Sequence, residues 1–361
     1  MNITFFIGNG FDINCGMRTR YTDMYKRYTQ ENPDDSEVIK RFKNAIKKER
    51  YETWADFEMG MCKYASELNS EEELVECVHD FKEHLVIHLL NEEERFFNSL
   101  SLQTKNEILV EMTRSIWNYY MGLIPNDIRT ISNLIDANEH VTYNFISLNY
   151  TSVLNSLLNQ INFSYHFKNY TSATVEQGVV INLHGTLIAD VILGIDNETQ
   201  FGALKFSPGA DTKYAFIKPE SNNSYDSYRV SRAKFIIGSS DLICVYGAAL
   251  GDSDLSWRSE ILDWLLIDSD HHLVYFEYFV NHIDRMHIDN TLKEESIRKQ
   301  RLLRRFNVSD DISEKLSKQI HIPISSNIFN ISNIIEDDAI MNAKIVGKNA
   351  DAAVRSTGSA T

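Results

Sequence analysis

Residues 1–12 read MNITFFIGNGFD. An apolar and β-branched run, residues 3–7, passes directly into Gly8-Asn9-Gly10 and then Phe11-Asp12. A short run without polar alternation, stopped by glycines, is the pattern of a strand covered on both faces in a parallel sheet. Four later segments repeat it: residues 143–148 (YNFISL), 179–183 (VVINL), 242–246 (LICVY) and 273–276 (LVYF). Helical stretches separate them. The expected fold is therefore α/β, a doubly wound and mostly parallel sheet.

The distance from the first strand to the second is the unusual feature. Between residues 17 and 139 apolar residues recur at helical spacing, as in Phe57, Met61, Tyr64 and Leu68, and again in Leu74, Val78, Phe81, Leu85 and Leu89. Only Gly60 and Gly122 interrupt this stretch. A right-handed crossover needs one helix, so the surplus predicts a large helical insertion. The expected organisation is an α/β domain from residues 1–16 and 140–335, a helical insertion at 17–139, and a flexible tail at 342–361. Residues 194–229 (NETQFG, SPGADT, PESNNSYDS) read as a loop that covers a cleft. Residues 290–318 read as helical, and 319–335 as the source of a final edge strand.

Composition narrows the partners. Of 361 residues, 36 are Lys or Arg and 51 are Asp or Glu, a formal charge of −15. That excess repels nucleic acid and anionic membranes. No apolar run reaches the roughly 18 residues of a membrane span, and no basic or cleavable leader precedes the first strand. Cys15, Cys62, Cys77 and Cys244 contain no C-x-x-C pair. They read as reduced thiols of a cytoplasmic protein and exclude a cysteine zinc ribbon. His84 and His88 stand at i, i+4, but Leu85 occupies the place of the glutamate that an H-E-x-x-H zinc motif needs, so no metal is expected. His271 and His272 read as surface residues. The basic run at 298–305 has Leu302, Leu303 and Phe306 spaced for a buried stripe, which makes it a solvated helix face rather than a nucleic-acid contact.

Ligands of open α/β sheets bind beyond the carboxyl ends of the strands, and four strand ends here carry suitable residues. The first gives Gly8, Asn9, Gly10 and Asp12; the second Asn149 and Thr151; the third His184 and Gly185; the fourth Gly247 through Asp254. Two glycines let a backbone approach a phosphate closely. The full dinucleotide fingerprint is absent, because Ile13 stands where its third glycine would, and no Lys-Ser/Thr follows to make a P-loop. Taken singly, each end has a plain alternative: a tight turn, a helix cap at Asn149, a structural histidine at His184.

Taken together and in order, IGNGFD, SLNYT, LHGT and VYGAALGDSD resemble the loops of the sirtuin-type NAD-binding fold. The chain resembles more closely the bacteriophage abortive-infection AbiH family. IGNGFDINCGMRTRYTDMY is similar to that family's opening element, and Trp54, Phe57 and Glu58 to its Trp-x-x-Phe-Glu element. Its Asn-Tyr-Thr, His-Gly and Tyr-Gly-x-x-Leu-Gly-x-x-Asp elements match residues 149–151, 184–185 and 246–254. The resemblance spans roughly residues 1–280.

The resemblance implies a sirtuin-like Rossmann variant that cleaves the nicotinamide–ribose bond of NAD in anti-phage defence, with NAD as substrate. Asn149 would orient water or the ribose, and His184 would be the general base. Gly8, Asn9 and Gly10 would cradle the pyrophosphate and Asp12 would approach the nicotinamide ribose. Gly185, Gly247 and Asp254 complete the binding set, Gly247 on the adenosine side. Without a zinc ribbon, deacylation of proteins is not expected and water is the acceptor. Thr151 stands where sirtuins carry an aspartate, which favours the alternative of an NAD or ADP-ribose sensor without turnover. Quiescence before infection implies control, by a homo-oligomer or a phage-derived trigger. Glu58 reaches the cleft only if the insertion folds over the sheet.

Overall fold

Strand β1 (Asn2–Ile7) is buried almost along its whole length. Its side chains alternate between two layers, as the strand period requires: Ile3, Phe5 and Ile7 enter one apolar cluster, Phe6 the other. The computed structural model describes residues 1–30, 32–49, 51, 54–277 and 287–336; the tail at 342–361 lies outside them. The remaining strands are β2 (His140–Ser147), β3 (Thr174–Asn182), β4 (Leu242–Tyr246), β5 (His272–Phe276) and β6 (Ile320–His321). They form one six-stranded sheet in the order β3-β2-β1-β4-β5-β6, and every pairing is parallel. The order reverses beside β1, so the crevice where ligands bind in doubly wound sheets lies between the ends of β1 and β4.

The five expected strands all form. β2 and β3 begin earlier than their apolar runs because β3 is an edge strand with one face half exposed, where polar residues are tolerated. The edge strand expected within 319–335 is the two-residue β6, paired with β5. The helical reading of 290–318 holds for Ile288–Phe306 and Asp310–Leu316. Asn307 between them takes a left-handed conformation (φ 52°), which ends the first helix.

Helices cover both faces of the sheet. Leu102–Trp117 and Pro125–Asp136 pack Ile108, Met112, Ile116, Ile131 and Ile135 with Phe5, Tyr143 and Phe145. Lys218–Gly238, Leu255–Ile267 and Ile288–Phe306 cover the opposite face. A third cluster joins Tyr21, Phe42, Phe57, Phe81 and Leu85 to Leu193, Ile195 and Phe216. The long segment between β1 and β2 thus divides: its first helices build this third core, and its last two belong to the sheet layer.

Residues 194–209 are loop as expected, apart from the single turn Glu198–Gln200, but 210–229 are not the loop that their Ser, Asn and Asp content suggests. Ala210–Phe216 is helical, and Lys218–Gly238 is a long helix with Pro near its first turn and one non-helical residue, Asp226. Its polar opening turns follow from burial of only Lys218 and Asn222 there, the apolar anchors Ala233, Ile236 and Ile237 coming later. Polar composition therefore concealed an element whose amphipathic signal begins late.

The turns after β1 and β4 meet backbone to backbone. Gly247 has φ +67°, and a Cβ there would stand 2.7 Å from Gly10 Cα. Gly247→Ala is expected to lose roughly 2–5 kcal/mol, combining left-handed strain with overpacking. Gly202, with open space around it, supplies the control, and Gly202→Ala leaves urea unfolding unchanged.

Candidate functional site

The β1 turn is tied to β4 before any ligand is considered. The Gly8 amide donates to Tyr246 O (2.9 Å) and the Gly10 amide to Gly247 O (3.0 Å). These N–H groups are therefore committed to the protein, and the glycines serve close approach of two backbones rather than an open phosphate cradle. Asn9 donates its side-chain amide to Thr19 O (2.8 Å), which pins the chain that leads into the helical segment.

A cavity of about 860 Å³ opens at this crevice, within the usual size of ligand pockets. Gly8, Asn9, Gly10, Asp12, Asn149, His184, Gly247 and Asp254 all line it. Gly185 does not: it turns the chain at φ +82°, where any side chain would run into Asp190. The structure thus brings together residues far apart in sequence from the ends of β1, β2, β3 and β4. A second hollow of about 680 Å³, edged by Asp34, Asp35, Glu71, Glu72, Glu76 and Asp80, contains no strand-end residue.

Asp12 joins two strand ends within this cavity. It is 2% exposed and accepts from Asn149 Nδ2 (3.0 Å) and Thr151 Oγ1 (2.8 Å). Burial pushes its carboxyl up to about 7, against those two hydrogen bonds and with help from the charge of Glu93. Thr151, read from sequence as a lost carboxylate, is a donor to one. Asn149 Oδ1 is buried and has no hydrogen-bond partner among the described residues.

His184 is 4% exposed. Burial first, then the Lys218 cation, hold its imidazole down to about 3, although Asp254 opposes them. The ring is neutral at any physiological pH. Its Nε2 stands 3.4 Å from Asp254 Oδ1 and makes no hydrogen bond among the described residues. Buried polar atoms without partners are rare, and Asn149, His184 and Glu277, which line this cavity, each carry one among the described residues.

Lys218 is a site residue that the sequence reading does not single out. Its Nζ lies 3.0 Å from Glu58 Oε1 and 3.0 Å from Asp254 Oδ1, and also donates to Ser253 O (3.1 Å). Glu58 in turn accepts from the Gly194 amide (3.1 Å). Burial would discharge the lysine, but Asp254 and Glu58 outweigh it and raise its pKa. Asp254, which burial would push up, is held below the carboxylate range by Lys218. Glu58 is raised, burial outweighing the same lysine. The helical segment does fold over the rim and delivers Glu58 to the cavity. A lone lysine in the apolar run YAFIK was the available signal.

Arg20, Tyr150, Glu277, Arg305 and the stretch from Pro323 to Asn330 complete the wall. Arg305 donates to Ala249 O (3.1 Å) and to the Tyr275 hydroxyl (3.0 Å). The basic helix thus buries Leu302, Leu303 and Phe306 as expected, and one of its arginines reaches the cavity. His84 and His88 contact the backbone oxygens of Asp80 and Arg18. Among the described residues no group of three His, Cys, Asp or Glu is arranged to hold a metal. His271 and His272 are half-buried rather than superficial: His271 stacks on Trp264 and His272 bonds His321 (2.9 Å).

An all-parallel sheet in this order, with a cavity at its reversal point, defines an α/β protein of the doubly wound, Rossmann-like class. The chain belongs to the bacteriophage abortive infection AbiH family, whose model matches residues 4–278. A role in abortive infection by phage follows from that membership. No curated protein matches the chain. No helix among the described residues is long and apolar enough to cross a membrane.

Proposed function

We propose that the cavity binds NAD and hydrolyses its nicotinamide–ribose bond, so that the abortive-infection role is exerted by NAD loss. The observation that carries this reading is that Asp12, Asn149 and His184 line one cavity, with Asn149 Oδ1 and His184 Nε2 buried and without a hydrogen-bond partner among the described residues. The sheet order and the sirtuin-like order of the loops support it.

In the reaction the C1′–N1 bond breaks and its electron pair leaves with nicotinamide, which becomes neutral. Water oxygen bonds C1′, and its proton passes to the Asp12 carboxylate and then to solvent. The general-base role that the sequence suggested for His184 moves to Asp12, because an imidazole held near 3 is a weak base and a carboxyl near 7 is matched to neutral pH. His184 keeps a ribose hydroxyl in place with its free nitrogen, and Asn149 Oδ1 accepts from the attacking water. Asp254 and Lys218 supply a fixed field rather than a proton.

Incubation of the purified protein with NAD, read by mass spectrometry, is expected to yield nicotinamide and ADP-ribose. Asn149→Ala and His184→Ala each lower kcat/KM by about 100-fold or more. The rate climbs through pH 7 as Asp12 ionises and then levels. Full activity in both variants would sink the assignment; saturable ADP-ribose binding without product would establish the sensor instead.

A further inference from the structure

We infer that Glu277 selects the second nucleoside of the ligand by its free 2′,3′-diol, which makes the site one for NAD and not for its 2′-phosphorylated form. The inference rests on the dinucleotide reading above and concerns the opposite end of the same cavity.

Glu277 follows β5 directly and lines the cavity together with Asp12 and Asn149. In the sheet order, β2 and β5 are separated by β1 and β4, three inter-strand spacings or about 14 Å. A dinucleotide with its scissile bond at Asp12 and Asn149, laid across the crevice, therefore carries its other ribose towards the end of β5. The Glu277 side chain is 14% exposed, and its Oε1 takes a 2.6 Å hydrogen bond from Arg301. Its Oε2 is buried and has no hydrogen-bond partner among the described residues. Arg301 gives one donor to Glu277, and Arg305 Nη1 is held by Ala249 O and the Tyr275 hydroxyl.

An orphan carboxylate oxygen requires a donor. A ribose diol supplies two hydroxyl donors. A 2′-phosphate removes one of those donors and brings negative charge against a carboxylate, so it halves the donor supply and adds repulsion. An acidic residue beyond a strand end commonly plays this part in dinucleotide folds. The adenine amino group is the other donor within such a ligand, and the test separates the two.

Turnover of NAD, NADP and nicotinamide hypoxanthine dinucleotide is compared for the wild type and Glu277→Gln, with calorimetric binding of ADP-ribose and its 2′-phosphate as a readout free of catalysis. The wild type is expected to prefer NAD over NADP by at least about 100-fold in kcat/KM, and Glu277→Gln to narrow the ratio below about 10-fold. The variant acts on KM and on ADP-ribose affinity while kcat for NAD stays close to wild type. Equal use of NAD and NADP by the wild type overturns the inference and leaves the hydrolase reading standing. A preference that follows the hypoxanthine substitution and not the phosphate overturns it as well. Failure to bind or cleave any of these compounds removes the dinucleotide reading and the inference with it.

Discussion

Asp12→Asn is expected to cut the proposed NAD turnover by about two orders of magnitude or more and, at pH 8, to raise the melting temperature by several degrees. Both effects come from one buried carboxyl. Its folded-state pKa is about 7 against an ordinary 3.8, so the unfolded chain loses this proton near pH 4 and the folded chain holds it until near 7. The stability it contributes is present below about 3.8 and is lost as pH rises through 7. A difference of about 3 units, at 1.36 kcal/mol each, makes the ionised group a burden of up to about 4 kcal/mol above neutrality. Asparagine keeps the shape and removes the charge. Activity falls by about two orders of magnitude or more, because the proton acceptor is gone. His184 has the opposite sign: its imidazole is held near 3 against 6.5, so its contribution is lost as pH falls below 6.5. Between about pH 4 and 6.5 the two slopes nearly cancel. Asp12→Asn uncovers the histidine's slope, and the variant becomes acid-labile where the wild type is flat. Thermal melts from pH 4 to 8, beside a turnover assay, decide the matter; a constant gap between variant and wild type across that range would refute the buried-base account.

Much of the sheet was legible because strands buried on both faces concentrate apolar residues, as in residues 3–7 and 242–246. The polar ends of β1 to β4 were legible for the same reason: a break in such a run marks a loop at the rim. Strand order was not, since pairing of β1 with β2 and β4 joins segments more than a hundred residues apart. The Gly8-Asn9-Gly10 turn shows how a local motif misleads. Its glycines read as a cradle for phosphate, but their amides face Tyr246 and Gly247, and nothing within residues 1–16 reveals that partner. Thr151 was read as a missing carboxylate because sequence places it only beside Asn149; in space it donates to Asp12. Arg305 reads from sequence only as part of a solvated basic helix, and Glu277 is not singled out, because charged residues on such helices and after strands are common and only the fold shows which of them face a cavity.

Lys218→Met is expected to be the most destabilising polar substitution in the chain, at about 3–5 kcal/mol. The cation touches Glu58 and Asp254 at 3.0 Å each; Lys218 and Glu58 are buried, and Asp254 is half-buried. Exposed ion pairs contribute little. Here removal of the one cation leaves two carboxylates facing each other in a low dielectric. Each must be neutralised or the joint must open. The joint links Glu58, from the third core, with Asp254, from the loop after β4, so its opening detaches the helical segment from the rim. Glu58→Gln alone is mild, because Lys218 keeps Asp254, and it removes a carboxylate that burial already holds above its ordinary range. The triple variant Lys218→Met, Glu58→Gln, Asp254→Asn recovers most of the loss in urea unfolding, since well-packed neutral groups replace a buried ion cluster at little cost. Lys218 also depresses the His184 imidazole. In Lys218→Met that ring therefore titrates at higher pH, which proton NMR resolves independently of stability. A single variant as stable as the wild type, with an unmoved histidine, would mean that solvent reaches these charges and that the cavity wall is not the low-dielectric surface that the proposed cleavage of the glycosidic bond requires.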